Sequence, residues 1–302
     1  MRIRNKIRNS RADNIFEIII LIVTALVFVI VAYPLYFIII ASFSNPNYVI
    51  TGRVWFWPVG FSIEGYRRVF AYTHVWIGYR NTVFYTISGT LFTLFLTLPA
   101  AFALTRDYFP GKTFVLIMFM IPMFFGGGLI PFFMVVDNLG LTDTPFVMPI
   151  LGALSFMQVV ICRTFMKTSI PGELYEAAEI DGCTFFQVFF KIVLPLAKPI
   201  IAVIALFAAV TNWNAFFNAL VFIRNRNLFP LQLVMRNILI MESIDFGDAA
   251  LAEEVIALAD RQRISLMLRY SLMILASLPI IMFYPFIQKY FVKGIMIGSV
   301  KG

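Results

Sequence analysis

The chain is short of charge, of cysteine and of histidine. Only 13% of its 302 residues are charged and 61% are hydrophobic, where an ordinary soluble domain has about 25% charged. That excludes a soluble globular protein. A mean hydropathy of +0.87 also excludes a disordered one, because the apolar surface far outweighs the charge available to solvate it. Two cysteines, Cys162 and Cys183, are too few for a disulfide framework, and with His74 as the single histidine they form no metal-ligand set. No metal site is expected, and no cofactor bound by this chain.

Absences inside the apolar runs exclude more. Proton- and sodium-driven carriers place Asp, Glu or His at membrane depth, and none lies in an apolar run here. Energy for uphill movement must then enter through a cytoplasmic partner. Nor are a nucleophile and a base brought together, so the chain is read as non-catalytic. Gly111-Lys112-Thr113 resembles the end of a phosphate-binding loop, but that pattern requires glycine where Arg106 stands.

What the chain does have is six charge-free stretches, Ile18–Gly52, Asn81–Thr105, Thr113–Val136, Thr144–Cys162, Pro199–Ile223 and Tyr270–Gln288. Each approaches or exceeds the ~20 residues of a spanning helix. The first follows Arg2, Arg4, Lys6, Arg8 and Arg11 and is too long for a signal peptide, so it is read as an uncleaved span. With the N-terminus inside, fourteen Lys/Arg and seven Asp/Glu fall on the cytoplasmic side against ten and nine outside, which obeys the positive-inside rule. The net charge of +8 is therefore topological, not a nucleic-acid footprint. The expected fold is all-α: a polytopic membrane protein of six transmembrane helices, with N- and C-termini in the cytoplasm, forming a single unit over residues 1–302. Phe61–Ala71 suits a short interfacial helix. The outer loop Arg224–Arg269 carries a run, Ala249–Ala259, with helical composition, and its acids suit either a solvated face or a docking surface.

Two spans carry polar rows. Thr82, Thr86, Thr90, Thr93 and Thr97 share one side of the second helix beside Gly89, a pattern suited to close helix packing. In the fifth, Thr211, Asn214 and Asn218 follow helical spacing, with Asn212 nearby and Trp213 and Phe217 as an adjacent aromatic row. Amides beside aromatic faces suit a polyhydroxylated ligand, and interhelical hydrogen bonding is the alternative. Between spans four and five, the loop Cys162–Lys198 is too apolar for a linker. Pro171 suits a helix start, Glu173 and Glu176 complement its dipole, Gly182 suits its stop, and a second helical segment runs from Thr184 to Leu194-Pro195.

In that loop, Glu176-Ala177-Ala178, three residues, Gly182, nine residues and then Ile192-x-Leu194-Pro195 resemble the EAA loop of ABC-type import permeases, over about residues 168–198. The likeness extends to Asn81-Thr82, to Asn212–Phe217 and to the ending Tyr290–Gly294 with Gly298 and Gly302, which are similar to carbohydrate-importer permeases of the maltose type. Phe125-Gly126-Gly127-Gly128-Leu129-Ile130-Pro131 resembles a branch for complex oligosaccharides. The resemblance implies a permease subunit in the bacterial cell membrane that imports an oligosaccharide by alternating access. Its partners would be a second permease, making a heterodimer, two ATP-binding subunits that carry ATP and Mg, and an extracellular substrate-binding protein. It implies that Glu176, Ala177, Ala178, Asp181, Gly182, Leu194 and Pro195 couple to the ATPase, and that Asn212, Trp213, Asn214, Phe217 and Asn218 line the substrate route. An importer of another solute, and a stand-alone channel or structural membrane protein, are the alternatives.

Overall fold

The structure is a computed structural model that describes residues 11–242, 265, 266 and 268–282. Among them every regular element is helical. The expected Ala249–Ala259 helix, the last six residues of the sixth span and the Tyr290–Gly302 ending lie outside the described residues. The chain forms two compact units, one from residues 1–69 and 241–275, the other from 70–240 and 276–302.

In the first unit, α1 (Arg11–Ser42) is an uninterrupted apolar helix. It is followed by α2 (Pro46–Ile50) and by α3 (Glu64–Ala71), which is the expected short helix. The loop between them folds back along α1: the Tyr33 hydroxyl donates to the Trp55 carbonyl at 3.3 Å, and that of Tyr36 to Phe56. Phe43 stacks on Phe61 with ring centroids 5.9 Å apart.

The second unit is built on α4 (Thr73–Thr105), 33 residues long and apolar enough to cross a membrane, as α1 is. The third expected span is interrupted. Helix α5 (Lys112–Phe124) stops before Gly126-Gly127-Gly128, and α6 (Leu129–Asn138) restarts after it. Three consecutive glycines carry the largest backbone-entropy penalty for helix, and Gly128, at φ +84°, lies outside helical space altogether. The fourth is also broken, into the short α7 (Val147–Ile150) and α8 (Phe156–Ser169) around Gly152 at φ +87°. Helix α8 runs past the expected end at Cys162 because its first charge is satisfied internally: the Arg163 Nε donates to the Leu104 carbonyl at 2.8 Å.

Next come α9 (Glu173–Ile180), α10 (Phe185–Gln187), a π-helical stretch over Val188–Val193 and α11 (Leu194–Leu196). Pro195 has no amide to give the carbonyl four residues back, and the turn before it is widened accordingly. The axis then bends by 80° into α12 (Lys198–Trp213). The fifth span breaks once more before α13 (Phe217–Phe222), and α14 (Leu231–Glu242) and α15 (Leu268–Met282) complete the described helices. One apolar core joins Leu98, Phe102 and Leu104 of α4 to Val159, Cys162 and Met166 of α8 and to Val188 and Val193. The other joins Tyr85, Val136, Val147, Phe222 and Leu233.

Candidate functional site

The segment from Pro171 to Lys198 is set by local hydrogen bonding at each joint. Helix α9 ends in a paired closure: the Gly182 amide donates to the Glu179 carbonyl at 3.1 Å and the Cys183 amide to Ala178 at 2.9 Å. This closure requires a left-handed residue, and Gly182 supplies it at φ +72°. Two residues on, Thr184 starts the next helix with a reciprocal cap, its Oγ1 accepting from the Gln187 amide and the Gln187 Oε1 accepting from the Thr184 amide at 2.8 Å. The stop and the start leave no slack between them, so α9 projects as a defined knob.

Of the coupling residues expected from the sequence, Glu176, Ala177, Asp181, Gly182 and Pro195 are exposed on this knob and Leu194 is half-buried. Ala178 is placed differently from these. It is only 4% exposed and faces the protein's own core, because α9 needs one apolar side to seat it. The outward face instead presents Glu173, Glu176, Glu179 and Ile180, the last 86% exposed.

What seats the knob is a contact that spacing does not reveal. The Arg106 guanidinium, one residue beyond α4, lies 3.6 Å from the Tyr175 ring centroid and 4.7 Å from that of Phe102. A desolvated arginine between two aromatic faces is worth roughly 2 kcal/mol or more, and it ties α9 to the end of α4. Burial pushes the Tyr175 phenol above its ordinary pKa, with the nearby Arg106 charge opposing. The only clue in the sequence was an arginine directly after an apolar run, which reads equally well as a membrane-edge anchor.

The fifth-span cluster is divided by the break after Trp213, so Thr211, Asn214 and Asn218 do not form one continuous helical face. Asn212 packs on α4: a Cβ at Gly89 would sit 2.5 Å from its Oδ1, and its Nδ2 donates to the Ala208 carbonyl at 2.8 Å. Trp213 is buried and donates from Nε1 to the Ala276 carbonyl of α15 at 3.0 Å, with Tyr79 edge-on at 6.1 Å. These two residues hold helices together. Asn214 and Phe217 are exposed and Asn218 is half-buried, and the Asn214 Nδ2 donates to the Val210 carbonyl at 2.9 Å.

The threonine row is divided as well. The Thr86, Thr90 and Thr97 hydroxyls are buried with no hydrogen-bond partner among the described residues, as expected of small side chains used for close packing. Thr82 accepts from the Leu231 amide at 2.8 Å. Beside it, the Asn81 Nδ2 donates to the Asn227 and Phe229 carbonyls at 2.7 and 3.1 Å, and the Tyr85 hydroxyl donates to Leu228 at 2.8 Å. One end of α4 thus straps down residues 227–231. Asp143, the single non-glycine residue at positive φ among those described, ties down the preceding residues in a similar way, since its Oδ1 accepts from the Arg224 and Asn225 amides at 3.0 and 2.8 Å.

Helix α4 is thus long and apolar, strapped at one end and tied at the other to a capped, exposed knob, an arrangement suited to a subunit that spans a membrane. Comparison with known proteins agrees. The family described as the binding-protein-dependent transport system inner membrane component matches residues 75–297. Protein LplC of Bacillus subtilis (strain 168) is 34% identical over 294 residues, 97% of either chain. The polygalacturonan/rhamnogalacturonan transport system permease protein YtcP of the same organism is 33% identical over 290 residues, 96% of this chain and 99% of that one. In the crystal structure of a bacterial ABC transporter involved in the import of the acidic polysaccharide alginate, one chain superposes with a TM-score of 0.83 at 31% identity, covering 94% of this chain and 99% of its own length. This chain belongs to the binding-protein-dependent inner membrane component family, and it is a permease subunit residing in the membrane.

Proposed function

We propose that the chain is one of two permeases, in a heterodimer, of an ATP-binding-cassette importer for an oligosaccharide, and that alternating access is driven through α9. The observation that carries this is the knob itself: an exposed acidic helix, closed by a left-handed glycine and clamped to α4 through Tyr175 and Arg106. A push on α9 from a cytoplasmic partner reaches α4 directly, and through the 80° elbow it reaches α12. In this reading residues 1–302 form one permease domain with six spans and cytoplasmic termini, and about 168–198 is its coupling loop. Glu176, Ala177 and Asp181 meet the ATP-binding subunit, while Ala178, Gly182, Leu194 and Pro195 shape the loop. ATP and Mg are held by two such partner subunits, and this chain hydrolyses nothing and binds no cofactor. An extracellular binding protein delivers the sugar. Asn214, Phe217 and Asn218 line the route, with Asn212 and Trp213 holding the helix that presents them. The sugar class is supported by YtcP and by the alginate importer, whose cargoes are polysaccharides.

The test is to express Glu176→Ala and Gly182→Val with the partner subunits and to measure ATPase co-purification and sugar-stimulated ATP hydrolysis. Both variants are expected to lose stimulation while the membrane chain stays folded. Normal retention and normal stimulation in both would remove the coupling role.

A further inference from the structure

Beside the knob, an open groove of ≈ 630 Å³ runs between the end of α4 and the Phe185–Phe190 segment. Its walls are almost wholly carbon, with Phe95, Phe102, Tyr108, Phe185, Phe186 and Phe190 among them. Five of these rings stand far out, Phe95 at 73%, Tyr108 at 56%, Phe185 at 59%, Phe186 at 77% and Phe190 at 60% exposure. A contiguous aromatic surface of this kind is not left to water, and the volume lies within the ~300–1,000 Å³ of sites that bury a small apolar ligand.

One charged group lines the groove. Arg106 is clamped by the Tyr175 and Phe102 rings, its Nε is buried without a hydrogen-bond partner, and among the described residues no carboxylate forms an ion pair with it. The neighbouring acid, Asp107, is 86% exposed and pairs with Lys112 at 3.1 Å. Stacking covers the faces of a guanidinium and leaves its N–H edge unanswered, and that planar edge matches phosphate oxygens. The occupant must therefore be apolar along its length and anionic at one end.

Resting on the orientation proposed above, which puts Arg106 at the cytoplasmic edge of the membrane, we infer that the groove holds one acyl chain of an anionic phospholipid of the inner leaflet, its phosphate on Arg106. That leaflet is where anionic headgroups meet basic side chains at the membrane surface, and Arg163, Lys167 and Lys191 belong to the other inner segment, between the fourth and fifth apolar stretches. Since Tyr175 belongs to α9, the bound lipid braces the coupling helix against α4.

The experiment uses the full-length chain with the subunits that co-purify with it, reconstituted in nanodiscs of phosphatidylglycerol, of phosphatidylcholine or of mixtures, and reads retained lipid by native mass spectrometry. The wild type is expected to retain phosphatidylglycerol with about ten-fold preference. Both lipids offer a phosphate, but the trimethylammonium of phosphatidylcholine cancels its charge and is repelled by Arg106, a difference on the scale of about 1.4 kcal/mol. Arg106→Gln should abolish the preference. Phe186→Ala, at an exposed position that leaves the core alone, should lower retention of both lipids, and a photoreactive side chain at 186 should cross-link to lipid. Cross-linking to a neighbouring protein, displacement by inorganic phosphate alone, or equal retention of both lipids by wild type and Arg106→Gln would overturn the inference. Normal sugar-stimulated ATP hydrolysis without lipid preference removes only the lipid site. Lipid preference without any sugar response removes the transport reading and leaves the site.

Discussion

Gly89 is the position where the α4–α12 seam can be probed most sharply. A methyl group there would lie 2.5 Å from the Asn212 Oδ1, 2.7 Å from its Cγ and 2.8 Å from its Nδ2, so Gly89→Ala must expel the amide. Expulsion breaks the Asn212–Ala208 hydrogen bond, costing about 0.5–1.5 kcal/mol. The repacking adds roughly 1–3 kcal/mol, and the gain in helix propensity returns only ~0.5–1 kcal/mol. The expected net loss is about 1–3 kcal/mol. Asn212→Ala alone should cost ~1 kcal/mol. In the double variant the new methyl group occupies the vacated space, and the two effects should couple by at least ~1 kcal/mol in the stabilising direction. The assay is reversible unfolding of the purified chain in detergent, followed by tryptophan fluorescence, to which the neighbouring buried Trp213 contributes. Strict additivity of the two substitutions would mean that Gly89 and Asn212 do not meet, and the packing role given to Asn212 would fall.

Other positions make separable demands. At Gly182 a Cβ meets nothing within 4 Å, so the penalty is conformational only: Ala should cost roughly 1–2 kcal/mol, Asn less and β-branched Val more, and an equal effect of all three on thermal stability would contradict the left-handed closure. Asp143→Ala removes the acceptor of two amides and should lower the melting temperature, while Asp143→Asn, which tolerates the same backbone and still accepts, should retain most of the stability. Tyr85→Phe should raise hydrogen exchange in residues 227–231 selectively, since it removes one strap and leaves Asn81 and Thr82 in place. Lys112, by hydrogen bond and charge, holds the Asp107 carboxyl below the usual carboxylate range. That contribution is present above the ordinary Asp pKa and is lost only as pH falls through the lowered one. The stability of wild type and of Asp107→Asn should therefore each be flat between about pH 6 and 8, with a small wild-type advantage there that disappears in acid; an advantage that changes between pH 6 and 8 would contradict the assignment.

Composition alone determined that this is a helical membrane protein, because few charges and long apolar runs admit no other solvent, and spacing alone located the α9 elbow, because caps and left-handed turns are chosen by residues two to four apart. Pro171, Glu173, Gly182 and Thr184 are each legible for that reason. What stayed hidden were contacts between residues distant in sequence. An asparagine in an apolar run has the same appearance whether it meets a solute or a glycine on another helix, and only the tertiary structure placed Asn212 on Gly89 and Trp213 on the Ala276 carbonyl. The breaks at Gly126–Gly128 and after Trp213 were missed on similar grounds, since lack of charge measures solubility in lipid and says little about continuity of the helix. Arg106 reads from the sequence as an edge anchor. Its place between Tyr175 and Phe102 was decided by the packing of α9 and α4, which brings residues some seventy positions apart to within a ring's thickness.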